Sequence, residues 1–132
     1  MIMSVNGVQA LNQFDKSKYL NLETFRKSGI GVKTPVWFVK DGGILYVKTI
    51  TNSGKVKRIR NNQKVNAVPC KVDGTPTGIW LPMLCTVVNN EVINNAAEHL
   101  LDKKYGWLKK VFFNTRSRKD LNYIVLELKP DN

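Results

Sequence analysis

Val32-Lys33-Thr34-Pro35-Val36-Trp37-Phe38-Val39-Lys40-Asp41-Gly42-Gly43-Ile44-Leu45-Tyr46-Val47-Lys48-Thr49-Ile50 is the stretch that decides the fold. Side chains on an extended chain alternate between two faces. Val32, Thr34, Val36 and Phe38 therefore read as one side of a strand, and Lys33, Pro35, Trp37 and Val39 as the other. Asp41-Gly42-Gly43 is a strong hairpin signal, and Ile44 to Ile50 is the returning arm. Pro35 has no N–H to give to a ladder, which puts its nitrogen at a sheet edge, a bulge or a ligand.

Working outward, Tyr19 to Arg26 alternates in the same way and is joined to this hairpin by the Lys27-Ser28-Gly29 turn, after a polar N-terminal segment, residues 1–14. On the other side, Ser53 to Asn62 reads as a short helix with Val56 and Ile59 on its buried face. Val65 to Val72 is a strand, 73–78 a loop dense in turn formers, and Ile79 to Val88 a further strand in which Pro82 is expected to mark a bulge or bend. From Asn90 the period changes. Ala96, Ala97, Leu100, Leu101 and Tyr105 share a helical face that stops at Gly106. A second short helix is expected around Trp107 or Leu108, Val111 and Phe112, and Tyr123 to Leu128 closes the chain as a strand. Six strands joined mainly by hairpins, with helices after the third and fifth, do not alternate as βαβ units do. The expected fold is mainly β, an antiparallel barrel or half-open barrel forming a single domain over residues 1–132.

With 132 residues and 42% hydrophobic content, the chain has material for one core but not two. Its 21 Lys and Arg against 10 Asp and Glu give a formal charge of +11, which suits a nucleic acid, an anionic membrane surface or a small polyanion. No apolar run approaches the roughly 20 residues of a membrane span, and no leader pattern opens the chain, so a cytoplasmic protein without membrane association is expected. Cys70 and Cys85 sit in apolar patterns and read as buried thiols, able to pair only if their strands are adjacent.

Much chemistry is disfavoured. His99 is the one histidine and lies on the polar flank of its helix, which leaves a His-centred triad or a multi-histidine metal site little to work with. No two carboxylates form a recognisable acid/base pair. Gly54-Lys55 resembles the end of a phosphate-binding loop, but the earlier glycine is missing and Val56 stands where Ser or Thr would hold magnesium. No catalytic or metal-ligating side chain is therefore assigned. What remains is Lys55, Lys57, Arg58 and Arg60, four cations within six positions at the start of a helix. Cations in a first turn oppose the helix dipole, and a bound phosphate reverses that cost, although a solvated basic face is the plain alternative. Such a chain can still be an enzyme if a bound cofactor carries the reactive atoms. Its phosphate would meet the cations, and Thr34-Pro35-Val36-Trp37 could line an apolar slot for its ring, with ordinary core packing the competing reading of Trp37. Cations beside aromatics also suit single-stranded nucleic acid, the rival reading.

Tyr19-Leu20-Asn21-Leu22-Glu23-Thr24-Phe25-Arg26, Thr34-Pro35-Val36-Trp37, Gly43-Ile44-Leu45-Tyr46-Val47, Ser53-Gly54-Lys55-Val56-Lys57-Arg58, Pro69-Cys70 and Gly74-x-Pro76-x-Gly78 follow one another in an order that resembles the split β-barrel proteins related to pyridoxamine 5′-phosphate oxidase. With Lys104-Tyr105-Gly106-Trp107, the chain is most similar to the small deazaflavin- or FMN-dependent reductases of that superfamily. The resemblance implies a six-stranded split β-barrel and a homodimer with a cofactor in each of two intersubunit grooves. The cofactor would be FMN or the deazaflavin coenzyme F-420, and the activity hydride transfer to or from a small organic substrate. A non-catalytic flavin carrier is the alternative, and nucleic acid a less favoured partner. Matched by position, Thr49, Ser53 and Lys55 would hold the phosphate, with Gly54 allowing close approach and Lys57 and Arg58 adding charge. Thr34, Pro35, Val36 and Trp37 would lie along the rings, and Trp80 would approach from the partner. The residues with which pyridoxamine-phosphate oxidases grip their own substrate have no clear counterparts after Asn122, which argues against vitamin B6 oxidation.

Overall fold

The computed structural model describes residues 7–106 and 122–131. Its strands are β1 (Tyr19–Phe25), β2 (Gly31–Val36), β3 (Phe38–Asp41), β4 (Ile44–Ile50), β5 (Lys64–Cys70), β6 (Leu81–Val87) and β7 (Tyr123–Pro130). They form one antiparallel sheet in the order β2-β1-β5-β6-β7-β4-β3. Among the described residues three helices accompany it, α1 (Gly7–Ala10), α2 (Gly54–Asn61) and α3 (Glu91–Tyr105), with a 3-10 turn at Leu11–Phe14.

The described sheet has seven strands where the sequence pattern suggests six. The excess arises at Trp37, where the expected single strand divides: β2 pairs with β1, whereas β3 pairs with β4. Alternation reports which face a side chain takes but not which neighbour its backbone bonds, so a strand that changes partner midway looks continuous in sequence. The helices accordingly follow the fourth and sixth strands. Because β2 and β3 are the two edges of the sheet yet consecutive in the chain, the sheet curls until its edges meet at this corner, which makes a split barrel.

The barrel interior is filled by inward rows from every layer, including Leu20 and Leu22, Leu45 and Val47, Val65 and Ala67, Met83 and Cys85, and Leu126 and Leu128. Ile59 of α2 closes one part of this core. Leu11 and Phe14, in the segment that reads as a polar lead-in, are fully buried in it, and Phe14 meets Phe38 edge-on at 5.7 Å between ring centres. A second cluster on the outside of the barrel joins Val39, Tyr46 and Val125 to Ala97, Leu101 and Tyr105 of α3. Asn90 caps α3 by accepting from the N–H groups of Val92 and Ile93, and Gly106 ends it at φ 52°. Ala96, expected on the buried face, is exposed. The second short helix expected at 107–112 lies outside the described residues.

Pro82 sits in the ladder opposite Asn66, where the sequence suggests a bulge or bend. Its carbonyl accepts from the Asp131 N–H just past the end of β7. In an antiparallel strand a residue's N–H and C=O point the same way, so the missing donor faces a strand terminus, where its absence costs little. Cys70 and Cys85 are both free thiols.

Candidate anion and cofactor site

Strand β3 begins at Phe38, opposite Val47, so Thr49 and Ile50 at the end of β4 face no β3 residue. Across the barrel opening runs β2, an edge strand with β1 on one side only. The gap between them is the split in the barrel, and chain leaving β4 turns through Thr51 to Ser53 directly into α2. The start of α2 therefore stands at one end of this gap.

Ser53 is the N-cap of α2, in extended conformation at φ −69° and ψ 156°, yet its hydroxyl makes no capping bond. Among the described residues its buried Oγ has no hydrogen-bond partner, and neither has the buried Thr51 Oγ1 two residues earlier. The first turn carries no acidic residue. Backbone N–H groups at a helix start, left uncapped by the side chain placed to cap them, favour an anion. Lys55 is half-buried, and burial, reinforced by the Arg58 charge, holds its ammonium below the ordinary lysine range. Two cations are thus gathered here against their own desolvation and repulsion.

Arg58 folds back over the helix start. Its Nε donates to Thr24 Oγ1 at 2.6 Å, and a Cβ added at Gly54 would come to 2.9 Å from its Nη1. A glycine at this position lets the guanidinium lie against the first turn. Thr24 itself is buried, the polar end of the inward row Leu20, Leu22, Thr24.

Of the residues assigned from sequence, Ser53, Gly54, Lys55 and Arg58 come together at this helix start. Lys57 points to solvent. Thr49 is buried near the end of β4, on the barrel-side row of Leu45 and Val47. Thr34 and Val36 are half-buried on β2 opposite Leu22 and Leu20, on the barrel side. Pro35 is exposed on the other face, opposite Asn21 and against the Gly74 turn. Trp37 lies at the corner and stacks on Tyr105 at 4.4 Å and 7°. Trp80 lies under the Lys33 ammonium, 5.2 Å from its ring centre, on the outer side with Lys33 and Pro35. Thr24 and Thr51 were missed; a hydroxyl ending an apolar inward row is the signal that points to Thr24.

Among the described residues no group of three or more His, Cys, Asp and Glu side chains could hold a metal, and His99 is exposed on α3. No helix among them is long and apolar enough to cross a membrane.

The fold is that of the pyridoxamine 5′-phosphate oxidase-like split-barrel proteins. A protein assigned as a pyridoxamine 5′-phosphate oxidase from Listeria innocua superposes with a TM-score of 0.69 at 13% identity, over 96% of this chain and 94% of that one. HutZ, a haem storage protein from Vibrio cholerae, gives 0.65 at 10% identity, over 92% and 87%. A protein described as an F420 reductase gives 0.60 at 19% identity, over 92% and 93%. No protein-family sequence model matches the chain, and no curated protein sequence does.

Proposed function

We propose that the protein is a cytoplasmic oxidoreductase that binds FMN or F-420, seats the cofactor phosphate against the start of α2, and lays the ring system along the edge of β2. The observation that carries this reading is the buried, unpartnered Ser53 hydroxyl at an uncapped helix start beside Lys55 and Arg58. A dianionic phosphate would accept from that hydroxyl and the first-turn N–H groups, and would be paired by the two cations. Thr34 and Val36 present a mixed polar and apolar wall, and the open edge of β2 offers main-chain groups to the rim of a ring. The bound ring supplies the hydride chemistry, and the protein supplies binding, orientation and exclusion of water. The described F420 reductase of the same fold supports this assignment.

Pro35, Trp37 and Trp80 do not fit the same wall, since one faces outward, one packs on α3 and one lies across the sheet. Trp80 keeps a role only if a second copy covers the outer face. Leu84 on the outer face of β6 is 38% exposed and Ile79, in the loop that leads into β6, is 80% exposed, and a homodimer that covers them is part of the proposal.

A non-catalytic cofactor carrier is the second reading, supported by HutZ having this fold. A flavin suits the chain better than haem, because the one histidine is exposed on α3, away from the split. A nucleic-acid-binding barrel is the least supported: the buried cation and hydroxyl converge on a point, not a track. Titration with FMN and with F-420, followed by absorbance and fluorescence, tests the assignment. Saturable binding that Ser53→Ala and Lys55→Ala both weaken supports it, and binding to neither overturns it. Turnover with a panel of enones and quinones then separates enzyme from carrier, and light scattering reads the oligomeric state.

A further inference from the structure

At the opposite end of β1 from Thr24, five residues and about 17 Å away along the strand, a second cationic depression opens. Its volume is ≈ 370 Å³, and Lys16, Ser17, Lys18, Tyr19, Lys71 and Thr77 are among the residues that line it. We propose that it is a binding site for a small oligophosphate, separate from the cofactor site.

The ladder explains why three lysines meet here. Tyr19 pairs with Cys70 as the last rung between β1 and β5, so the next step sets Lys18 across from Lys71. Like charges directly opposite each other on neighbouring strands destabilise the pair. Lys16 completes the ring because Ser17 is turned inward, its hydroxyl donating to the Tyr19 carbonyl at 2.6 Å. Thr77 is fixed opposite by its N–H bond to Pro69 O at 2.8 Å, and Gln13 ties the following backbone with paired bonds to Ile79 at 2.8 and 2.9 Å. The walls are thus built, not loose.

Among the described residues no carboxylate lines the depression. Of the two nearest in sequence, Asp15 pairs with Lys40 at 2.7 Å, and Asp73 accepts from the Thr75 N–H at 2.9 Å while its charge also reaches Lys71, which leaves Lys16 and Lys18 as the less compensated cations. Three lysines lining one depression match the several charges of one compact polyanion. Tyr19 and Thr77 add a surface for whatever carries the phosphates. A nucleic-acid strand would instead need cations spaced along a track.

Calorimetric titration of the full chain with inorganic tripolyphosphate at low salt, and with inorganic phosphate for comparison, tests the site. The expected result is saturable tripolyphosphate binding that Lys16→Gln/Lys18→Gln/Lys71→Gln weakens by about tenfold or more, the loss of roughly one good charged contact. A charge-matched control, Lys27→Gln/Lys64→Gln/Lys103→Gln, should leave it unchanged, and binding at the depression should persist in a Ser53→Ala/Lys55→Ala background that removes the proposed anion site at α2. Equal weakening by the control would show a general basic surface, and complete loss in the Ser53→Ala/Lys55→Ala background would place the ligand at α2; either overturns the proposal, as does no binding by the unmodified chain. Displacement of tripolyphosphate by a single-stranded oligonucleotide at equal phosphate concentration would overturn it in favour of nucleic acid. All three substituted lysines are exposed, so the variant is expected to fold, and circular dichroism confirms that.

Discussion

Arg58 Nε lies 2.6 Å from Thr24 Oγ1, a bond from the helix that begins at the split of the barrel to the inward row of β1. It holds the guanidinium across the helix start while leaving its terminal nitrogens for an anion. Thr24→Val keeps the shape but removes the acceptor. A hydrogen bond to a charged group contributes about 1.5–3 kcal/mol, and this one is partly exposed, so urea unfolding should show a loss near or below the lower end of that range. FMN affinity should fall as well, because Arg58 is no longer aimed. Unchanged affinity with lowered stability would show that the latch serves only the fold.

Gly54→Ala separates the two properties more sharply. Alanine in place of an unstrained helical glycine gains up to about 1 kcal/mol of helix propensity. The new Cβ would come within 2.9 Å of Arg58 Nη1, the far end of a flexible side chain that can move aside. The expected result is equal or raised thermal stability together with weaker cofactor binding. Weaker stability with intact binding would mean that Arg58 is not held where the cofactor needs it.

Ser53→Ala removes a buried hydroxyl that has no partner among the described residues. Loss of an unpaired buried polar group does not cost the bond it never made, so stability in urea should be unchanged or slightly raised. In the complex the same hydroxyl would donate to phosphate, and affinity should drop by about tenfold, roughly 1.4 kcal/mol. A fall in stability without cofactor present would show that Ser53 has a structural partner instead.

These residues mark how far the sequence could be read. Period-two alternation and the Asp41-Gly42-Gly43 turn were enough for the strands, and the Val56 and Ile59 spacing for α2. The corner at Trp37 was not legible, because Phe38 continues the alternation of Val36 although its backbone bonds a different strand. Leu11 and Phe14 do not stand out as core when residues 1–14 are read as a polar lead-in, yet eight of those fourteen residues are apolar and Val5, Val8, Leu11 and Phe14 fall three apart, a spacing that does point to one helical face. At the site, the cations were visible as a charge run. What selects Lys55 and Arg58 from it, leaving Lys57 in solvent, is helical phase relative to Thr24, a contact 34 residues away in sequence.

The lowered pKa of Lys55 gives a pH signature. Between that depressed value and the ordinary 10.5, the unfolded chain binds more protons at this group than the folded one, so stability attributable to Lys55 rises with pH across the window. The contribution is present above 10.5 and lost as pH falls through the folded value. Lys55→Met should remove that slope in urea unfolding measured at a series of alkaline pH values. Phosphate binding runs the opposite way. It requires the charged amine, so affinity should decline as pH rises through the depressed value, at lower pH than an ordinary lysine would produce. A pH-independent difference between the two proteins would show that Lys55 is as solvated as Lys57.

Tyr105 fixes the corner from which the β2 edge departs. Its hydroxyl accepts from the Phe38 N–H at 2.9 Å and lies 2.8 Å from both the Phe38 and Lys18 carbonyls, one of which takes its proton. Its ring stacks on Trp37. Burial raises the Tyr105 pKa well above the ordinary tyrosine range, so the hydroxyl stays neutral and keeps donating. In Tyr105→Phe the stack survives, and Lys104 still donates to the Phe38 carbonyl at 2.9 Å, but the buried Phe38 N–H loses its acceptor. An unsatisfied buried donor costs about 1–3 kcal/mol, which should appear in urea unfolding with the tryptophan emission of the native state little changed. Because this corner aims β2 across the split from Thr49, cofactor affinity should fall too, although Tyr105 is not assigned any contact with the cofactor. If affinity holds while stability falls, the course of β2 past Thr34 is set by its pairing with β1 alone, and the corner closes the barrel without shaping the site.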